Sequence, residues 1–112
     1  MRIFIGRGFF DISVKRVSFF GKFIGLMFRS VKSDNLLFEF RRECRLSIHS
    51  YFVFFNFLAI WLDDDKRVVE VKMVKPFTFS VRPKKKFKYL IEMPLNSRNK
   101  RIVEFFRRKR KI

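Results

Sequence analysis

The sequence predicts a mostly β fold: a compact β-sandwich or barrel, with a short helix near residues 19–28 and a basic C-terminal helix. Three observations predict it. Apolar residues make up 48% of the 112-residue chain, which is enough to bury a core at this length. They fall in many short runs separated by Pro, Gly or charged residues. Several runs alternate between apolar and charged residues, the period of a half-buried strand.

The first half of the chain divides into short segments. Residues 1–17 predict one or two short strands, punctuated by two glycines. SFFGKFIGLMF at 18–28 places five apolar side chains on one helical face, and this spacing predicts the short helix. LLFEF at 36–40 predicts a buried strand, and RRECRLS at 41–47 predicts a charged connection after it.

The longest apolar run, YFVFFNFLAIWL, covers residues 51–62. It is too short to cross a membrane, which takes about 20 residues, so we expect no membrane span. IHSYFVF at 48–54 and LAIWL at 58–62 predict two strands. DDDK at 63–66 predicts a turn, and RVVEVKMVK at 67–75 an alternating strand that forms a hairpin with LAIWL.

The last part of the chain predicts one further strand and the C-terminal helix. FTFSV at 77–81 is another short alternating segment, and KKKFKYLIEMP at 84–94 predicts a strand ended by its proline. The alternation places Phe87, Tyr89, Ile91 and Met93 on one face and Lys88, Leu90 and Glu92 on the other. Asn96 or Ser97 can cap the final helix. We therefore expect one β-rich domain over residues 1–95 and a basic helix or tail over 96–112.

The positive charge is concentrated near the C-terminus. The formal net charge is +17, and residues 82–112 hold 13 Lys and Arg against two acidic residues, a net of +11. Solubility of a small domain needs a net charge of only about 2–8. The excess predicts a polyanionic partner, either a nucleic acid or an anionic membrane. We predict a non-enzymatic cytoplasmic protein that binds structured RNA, as a ribosomal or ribosome-associated protein with ribosomal RNA and ribosomal proteins as partners.

The predicted phosphate contacts are all lysines and arginines of three short clusters. They are Arg82, Lys84, Lys85, Lys86, Lys88, Arg98, Lys100, Arg101, Arg107, Arg108, Lys109, Arg110 and Lys111. Such residues neutralise phosphates and release counterions, but they do not read sequence. Phe87 and Tyr89 can stack on unpaired bases, although a core position explains them equally well. A solubilising surface is the alternative explanation of the same charges.

Five segments between residues 21 and 94 resemble a known family. They are GLMFR, LLFEF, SIHSYFVFFNFLAIWLDDDKRVVEV, VKPF and RPKKKFKYLIEMP, in the family's order. The resemblance is to the archaeal branch of domain of unknown function 192 (DUF192), also called uncharacterised protein family 0127. It implies a compact, jelly-roll-like β-sandwich and no known activity. The family-motif residues in this sequence are Gly25, Leu26, Met27, Arg29 and His49.

The chain departs from the family pattern in the middle of its long apolar run. The family tends to have Met-Arg at Val53 and Phe54, and Pro and Asp at Asn56 and Leu58. The basic tail also replaces the family's acidic, glycine-containing ending. The resemblance thus implies a scaffold whose polar site has become apolar and whose surface has become cationic.

A small-ligand site or an enzyme around Arg29 and His49 is the alternative function. The sequence has one histidine and one cysteine, which give no zinc ligand set, and we expect no metal or cofactor. His49 and Cys44 are predicted to be structural, and DDD at 63–65 to be a turn rather than a cation site. Attachment to a membrane surface through the C-terminal helix is a further alternative.

Overall fold

The structure is a computed structural model that describes residues 1–17, 26, 29–50 and 52–110. Its strands are β1 (Arg2–Ile5), β2 (Gly8–Asp11), β3 (Val14–Arg16), β4 (Asn35–Cys44), β5 (Phe57–Leu62), β6 (Val68–Val74) and β7 (Phe87–Pro94). A 3₁₀ turn (Ser97–Asn99) leads into a C-terminal helix, α1 (Lys100–Arg110). The predicted mostly β fold class is confirmed. The helix predicted near residues 19–28 lies outside the described residues, apart from Leu26.

The strands form two sheets. β1 and β2 make an antiparallel hairpin, and Gly6 in its turn has a φ of 57°, a conformation that glycine adopts without a steric cost. The other strands form one sheet in the order β3-β4-β7-β5-β6, in which only the β3–β4 pair is parallel. The predicted β5–β6 hairpin is confirmed. Residues 1–17 contain three strands, so the prediction of one or two was wrong.

The five-stranded sheet is buried on both faces, and each face has its own core. All six residues of β5 are fully buried, and they alternate between the two cores. The first core lies between the sheet, the β1–β2 hairpin and α1, and contains Ile3, Ile12, Leu37, Leu58, Ile60, Leu62, Val71, Ile91, Met93, Val103 and Phe106. The second core lies under the long loops and contains Leu26, Leu36, Phe38, Val53, Phe57, Ala59, Trp61, Val74, Phe87 and Leu90.

Two segments predicted as strands form loops instead. In the described part of residues 48–54, only Ile48 forms a β-bridge, an isolated one to Val81. The same bridge is the only one that residues 77–81 form. Ser50 is the physical reason. Its hydroxyl donates to the carbonyl of Lys75 (2.6 Å) and accepts from the amide of Thr78 (2.5 Å). These bonds hold the two segments in loops rather than in extended strands.

The end of β4 and the start of β7, which pair with each other, differ from the prediction in strand length and in side-chain direction. β4 continues to Cys44, so the first half of the predicted charged connection at 41–47 is strand. The register shifts between Glu39, which pairs with Tyr89, and Cys44, which pairs with Phe87. Phe87 packs in the second core and not with Tyr89, so its predicted face was wrong.

The C-terminal helix is joined to the sheet by a buried pair of asparagines. The side chains of Asn35 and Asn99 donate to each other, at 3.0 and 2.8 Å. Each also donates to a main-chain carbonyl, Asn35 to Ser13 and Asn99 to Pro94. Asn96, one of the two predicted caps, caps the 3₁₀ turn that leads into α1, where its side chain accepts from the amide of Asn99.

We predict that the two asparagines are energetically coupled. Asn35→Ala and Asn99→Ala should each lower the free energy of unfolding by about 1–3 kcal/mol, because each leaves its buried partner unsatisfied. The double variant should lose clearly less than the two single losses together. Urea unfolding of the four proteins measures this coupling. Strictly additive losses would show that the pair is not cooperative, and Ser97→Ala, at an exposed position, serves as the control.

Candidate nucleic-acid interface

The loop before β7 presents cations on a fixed main chain. The carbonyl of Arg82 accepts from the ammonium of Lys72 (2.9 Å), and the amide of Lys84 donates to the carboxylate of Glu70 (2.9 Å). The buried Pro83 accepts from the Arg45 guanidinium through its carbonyl, at 3.4 Å. The side chains of Arg82, Lys84, Lys85 and Lys86 are exposed. The loop is therefore held by its main chain while its charges face water.

The extension of β4 brings further arginines to this loop. Cys44 pairs with Phe87, the residue that follows the three lysines. The exposed Arg45 contacts Pro83 of the loop, and the exposed Arg41 and Arg42 lie on β4 between the residues that pair with Tyr89 and Phe87. We call the combined set the basic loop cluster: Arg41, Arg42, Arg45, Arg82, Lys84, Lys85 and Lys86. Its first three members were not predicted as phosphate contacts, and their only signal in the sequence is the charge density of RRECR.

Four exposed phenylalanines lie on the loop that follows β4 and on the loop that precedes β7. They form the phenylalanine patch: Phe52, Phe54, Phe77 and Phe79, whose exposed fractions are 48%, 63%, 51% and 79%. The Phe77 ring makes edge-to-face contacts with Phe52 and Phe54, at centroid distances of 6.2 and 5.3 Å. The Ile48–Val81 bridge and the contact of Arg45 with Pro83 join the two loops. The two joined loops therefore carry the basic loop cluster at one end and the phenylalanine patch at the other.

The remaining predicted phosphate contacts lie elsewhere. The basic loop cluster adjoins the start of β7 and α1 follows its end, about 25 Å away for eight residues of strand. Lys100, Arg101, Arg108 and Lys109 are exposed on α1, and Arg107 pairs with Glu104 at 3.7 Å. Arg98 donates to the carbonyls of Lys32 and Ser33. Arg110 ends α1, and Lys111 lies outside the described residues.

Lys88 belongs to an ion pair. Its ammonium lies 3.2 Å from the Asp64 carboxylate, and the hydrogen bond to Asp64 raises the pKa of Lys88. The predicted phosphate contacts thus divide among the basic loop cluster, the exposed surface of α1 and residues already engaged within the fold.

Glu92 is a buried carboxyl that the sequence analysis did not single out. It lies on β7 between Leu36 of β4 and Ala59 of β5, and only 5% of it is exposed. Burial raises the pKa of Glu92 to about 8, although the amide of Leu26 donates a hydrogen bond to the carboxylate. On the same face of the sheet, the buried Nε1 of Trp61 has no hydrogen-bond partner among the described residues.

The family of this chain follows from its sequence. The model of DUF192, described as "Uncharacterized ACR", matches residues 9–104. The chain belongs to the DUF192 family.

Its archaeal DUF192 relatives are longer proteins. A UPF0127 protein of Thermococcus sibiricus is 39% identical over 80 residues, which is 70% of this chain and 51% of the relative. One from Pyrococcus furiosus is 37% identical over 79 residues, 69% of this chain and 66% of the relative. A third, from Thermococcus kodakarensis, is 36% identical over 70% of this chain and 50% of its own length. The chain thus spans about half to two thirds of the length of these three relatives.

Two crystal structures share the fold. A "putative transcription regulator" from Sinorhizobium meliloti 1021 has a TM-score of 0.75 at 18% identity, covering 91% of this chain and 83% of that one. A protein of unknown function from Novosphingobium aromaticivorans has a TM-score of 0.66 at 18% identity, covering 88% and 71%. At this identity the likeness establishes the fold.

Of the DUF192 motif residues, Leu26, Arg29 and His49 are among the described residues. Leu26 is buried in the second core, and its carbonyl accepts from the amide of the exposed Arg29 at 3.0 Å. His49 is half-buried between the bridge residue Ile48 and Ser50. Gly25 and Met27 lie outside the described residues. Within the described residues, no three His, Cys, Asp or Glu side chains form a group that could hold a metal ion.

The positions that depart from the DUF192 pattern have separate places in the fold. Val53 is buried in the second core, and Leu58 in the first. Phe54, where the family tends to have arginine, is in the phenylalanine patch.

None of the helices in the described ranges is both long and apolar enough to cross a membrane.

Proposed function

We propose that this chain binds RNA through the basic loop cluster and catalyses no reaction on it. The observation that carries the proposal is the joining of seven cations on two adjacent segments whose main chains are fixed. Because the loop is held by its carbonyls and amides, the ammonium groups of its lysines and the guanidinium of Arg82 stay available for phosphates, whereas the guanidinium of Arg45 also bonds the Pro83 carbonyl. Binding an RNA there neutralises a charge density that otherwise opposes folding.

The most concrete form of the proposal is a ribosomal or ribosome-associated role in the cytoplasm. The exposed cations of α1 would then be a second set of phosphate contacts, separate from the basic loop cluster. Two cationic surfaces at opposite ends of β7 suit a large folded RNA that surrounds a small protein. Co-sedimentation with ribosomal subunits at increasing salt, with and without nuclease, distinguishes this form from binding to free RNA. A protein that stays unbound at every salt concentration would contradict the ribosomal role.

The basic loop cluster is tested by charge reversal. We expect the triple variant Lys84→Glu, Lys85→Glu and Lys86→Glu to bind an RNA hairpin at least about 30-fold more weakly than the parent chain. The slope of log K against log salt should become shallower by about 2–3, because three phosphate contacts are lost. Fluorescence anisotropy between about 50 and 500 mM salt measures both quantities.

A matched variant separates position from net charge. Arg7, Lys15 and Lys32 are exposed and belong to segments outside the basic loop cluster. Reversing these three changes the net charge equally, and we expect a loss of less than about threefold. Equal losses in the two triple variants would mean that only total charge matters, and the basic loop cluster would then not be the interface.

A further inference from the structure

Two of the exposed rings of the phenylalanine patch belong to residues with an unusual main-chain conformation. Phe52 and Phe77 have φ values of 56° and 57°, in the left-handed region that a bulky residue rarely occupies. Such a conformation is strained. This strain is not accompanied by burial of the two rings, because about half of each residue remains exposed. The fold therefore supports a strained pair of turns that display aromatic side chains.

Ser50 holds these two turns together. Its carbonyl accepts from the amides of Val53 and Phe77, its amide donates to Thr78, and its hydroxyl bonds to the Lys75 and Thr78 main chains. Since Ser50 itself is fully buried, this network fixes the relative positions of the two loops. The patch is consequently a formed surface before any partner arrives.

The neighbouring charges restrict what can cover the patch. Phe79 is three residues from Arg82, so their Cα atoms are at most about 11 Å apart. A second copy of this chain would bring another net charge of +17 against the same cations. The partner therefore has to combine negative charge with flat apolar groups at a spacing of several ångströms. Unpaired nucleotides have both features, whereas a duplex hides its bases within the stack.

Resting on the proposed function, we propose that the phenylalanine patch stacks unpaired bases of an RNA whose phosphates lie on the basic loop cluster. The substrate class is single-stranded RNA or a structured RNA with an open loop, bulge or end. The cations supply affinity for any RNA strand, and the rings supply the preference for unpaired nucleotides. Only a few nucleotides are needed to span the short distance between the two surfaces.

The test compares two RNAs of about 12 nucleotides, one single-stranded and one a duplex. We expect the double variant Phe54→Ala and Phe79→Ala to bind the single strand at least about 30-fold more weakly, since two stacking contacts are lost. Duplex binding and the salt slope should change by less than about twofold. Phe9→Ala, at an exposed phenylalanine of β2, is the matched control. It should change the affinity for neither RNA.

The outcomes separate this inference from the proposed function. Equal losses on both RNAs, or no loss on either, would overturn base stacking while leaving the basic loop cluster in place. Failure of the parent chain to bind either RNA would overturn the proposed function as well. Phosphatidylserine vesicles are the third arm. If the double variant loses vesicle binding and keeps single-strand binding, the patch is a membrane contact and the inference is wrong.

Discussion

The Glu92→Gln variant is expected to lose less stability than the parent chain as the pH rises from about 5 to 9. Burial raises the pKa of Glu92 from 4.5 to about 8 in the folded chain. The folded state therefore binds the proton more tightly than the unfolded state does. The resulting stabilisation is fully present below about pH 4.5 and is lost as the pH rises to about 8. Glutamine keeps the shape of the neutral carboxyl and does not ionise.

The size of the effect follows from the change in proton affinity. A tenfold change in that affinity corresponds to about 1.4 kcal/mol, so a pKa raised from 4.5 to about 8 gives a loss of about 5 kcal/mol as an upper limit. Urea unfolding at several pH values measures it for both proteins. Glu43→Gln, at an exposed position, is the control and should follow the parent chain. If Glu92→Gln has the same pH dependence as the parent chain, Glu92 is ionised and compensated within the fold.

Local patterns were sufficient to predict the central hairpin. The uninterrupted apolar run of β5, the period-two pattern of β6 and the charged turn between them define it without reference to the rest of the chain. Local patterns failed in residues 48–54 and 77–81, whose short apolar runs imitate a strand. Their loops depend on hydrogen bonds of Ser50 to residues 25 and 28 positions away. A bond between such distant positions leaves no periodic signal in the sequence.

The candidate interface was predictable in part for the same reason. Lys84, Lys85 and Lys86 are consecutive, so charge density alone identified them. Arg41 and Arg42 join them only because β4 pairs with β7, with a register shift that no local pattern encodes. The sequence places Glu92 on the same face as Lys88 and Leu90, and a carboxylate that shares a face with a lysine is typical of an exposed position. The loops that cover this face bury it.

The Phe106→Ala variant is expected to lower the free energy of unfolding by about 3–5 kcal/mol. Phe106 is fully buried in the first core. Its ring lies 6.3 Å from that of Phe10 and 5.4 Å from that of Phe105. Because an isolated helix of this length is marginal in water, the loss should release α1 from the sheet before the sheet unfolds. Circular dichroism and urea unfolding measure the two effects.

The same variant decides which cationic surface holds the RNA. The basic loop cluster is held by Lys72, Glu70 and Arg45, none of which depends on α1. At a temperature where the sheet remains folded, Phe106→Ala should therefore retain most of the affinity for an RNA hairpin. Phe105→Ala, at a half-buried position, is the control and should cost clearly less stability. If Phe106→Ala abolishes RNA binding while the sheet is intact, the interface lies on α1, and the basic loop cluster contributes only to the net charge.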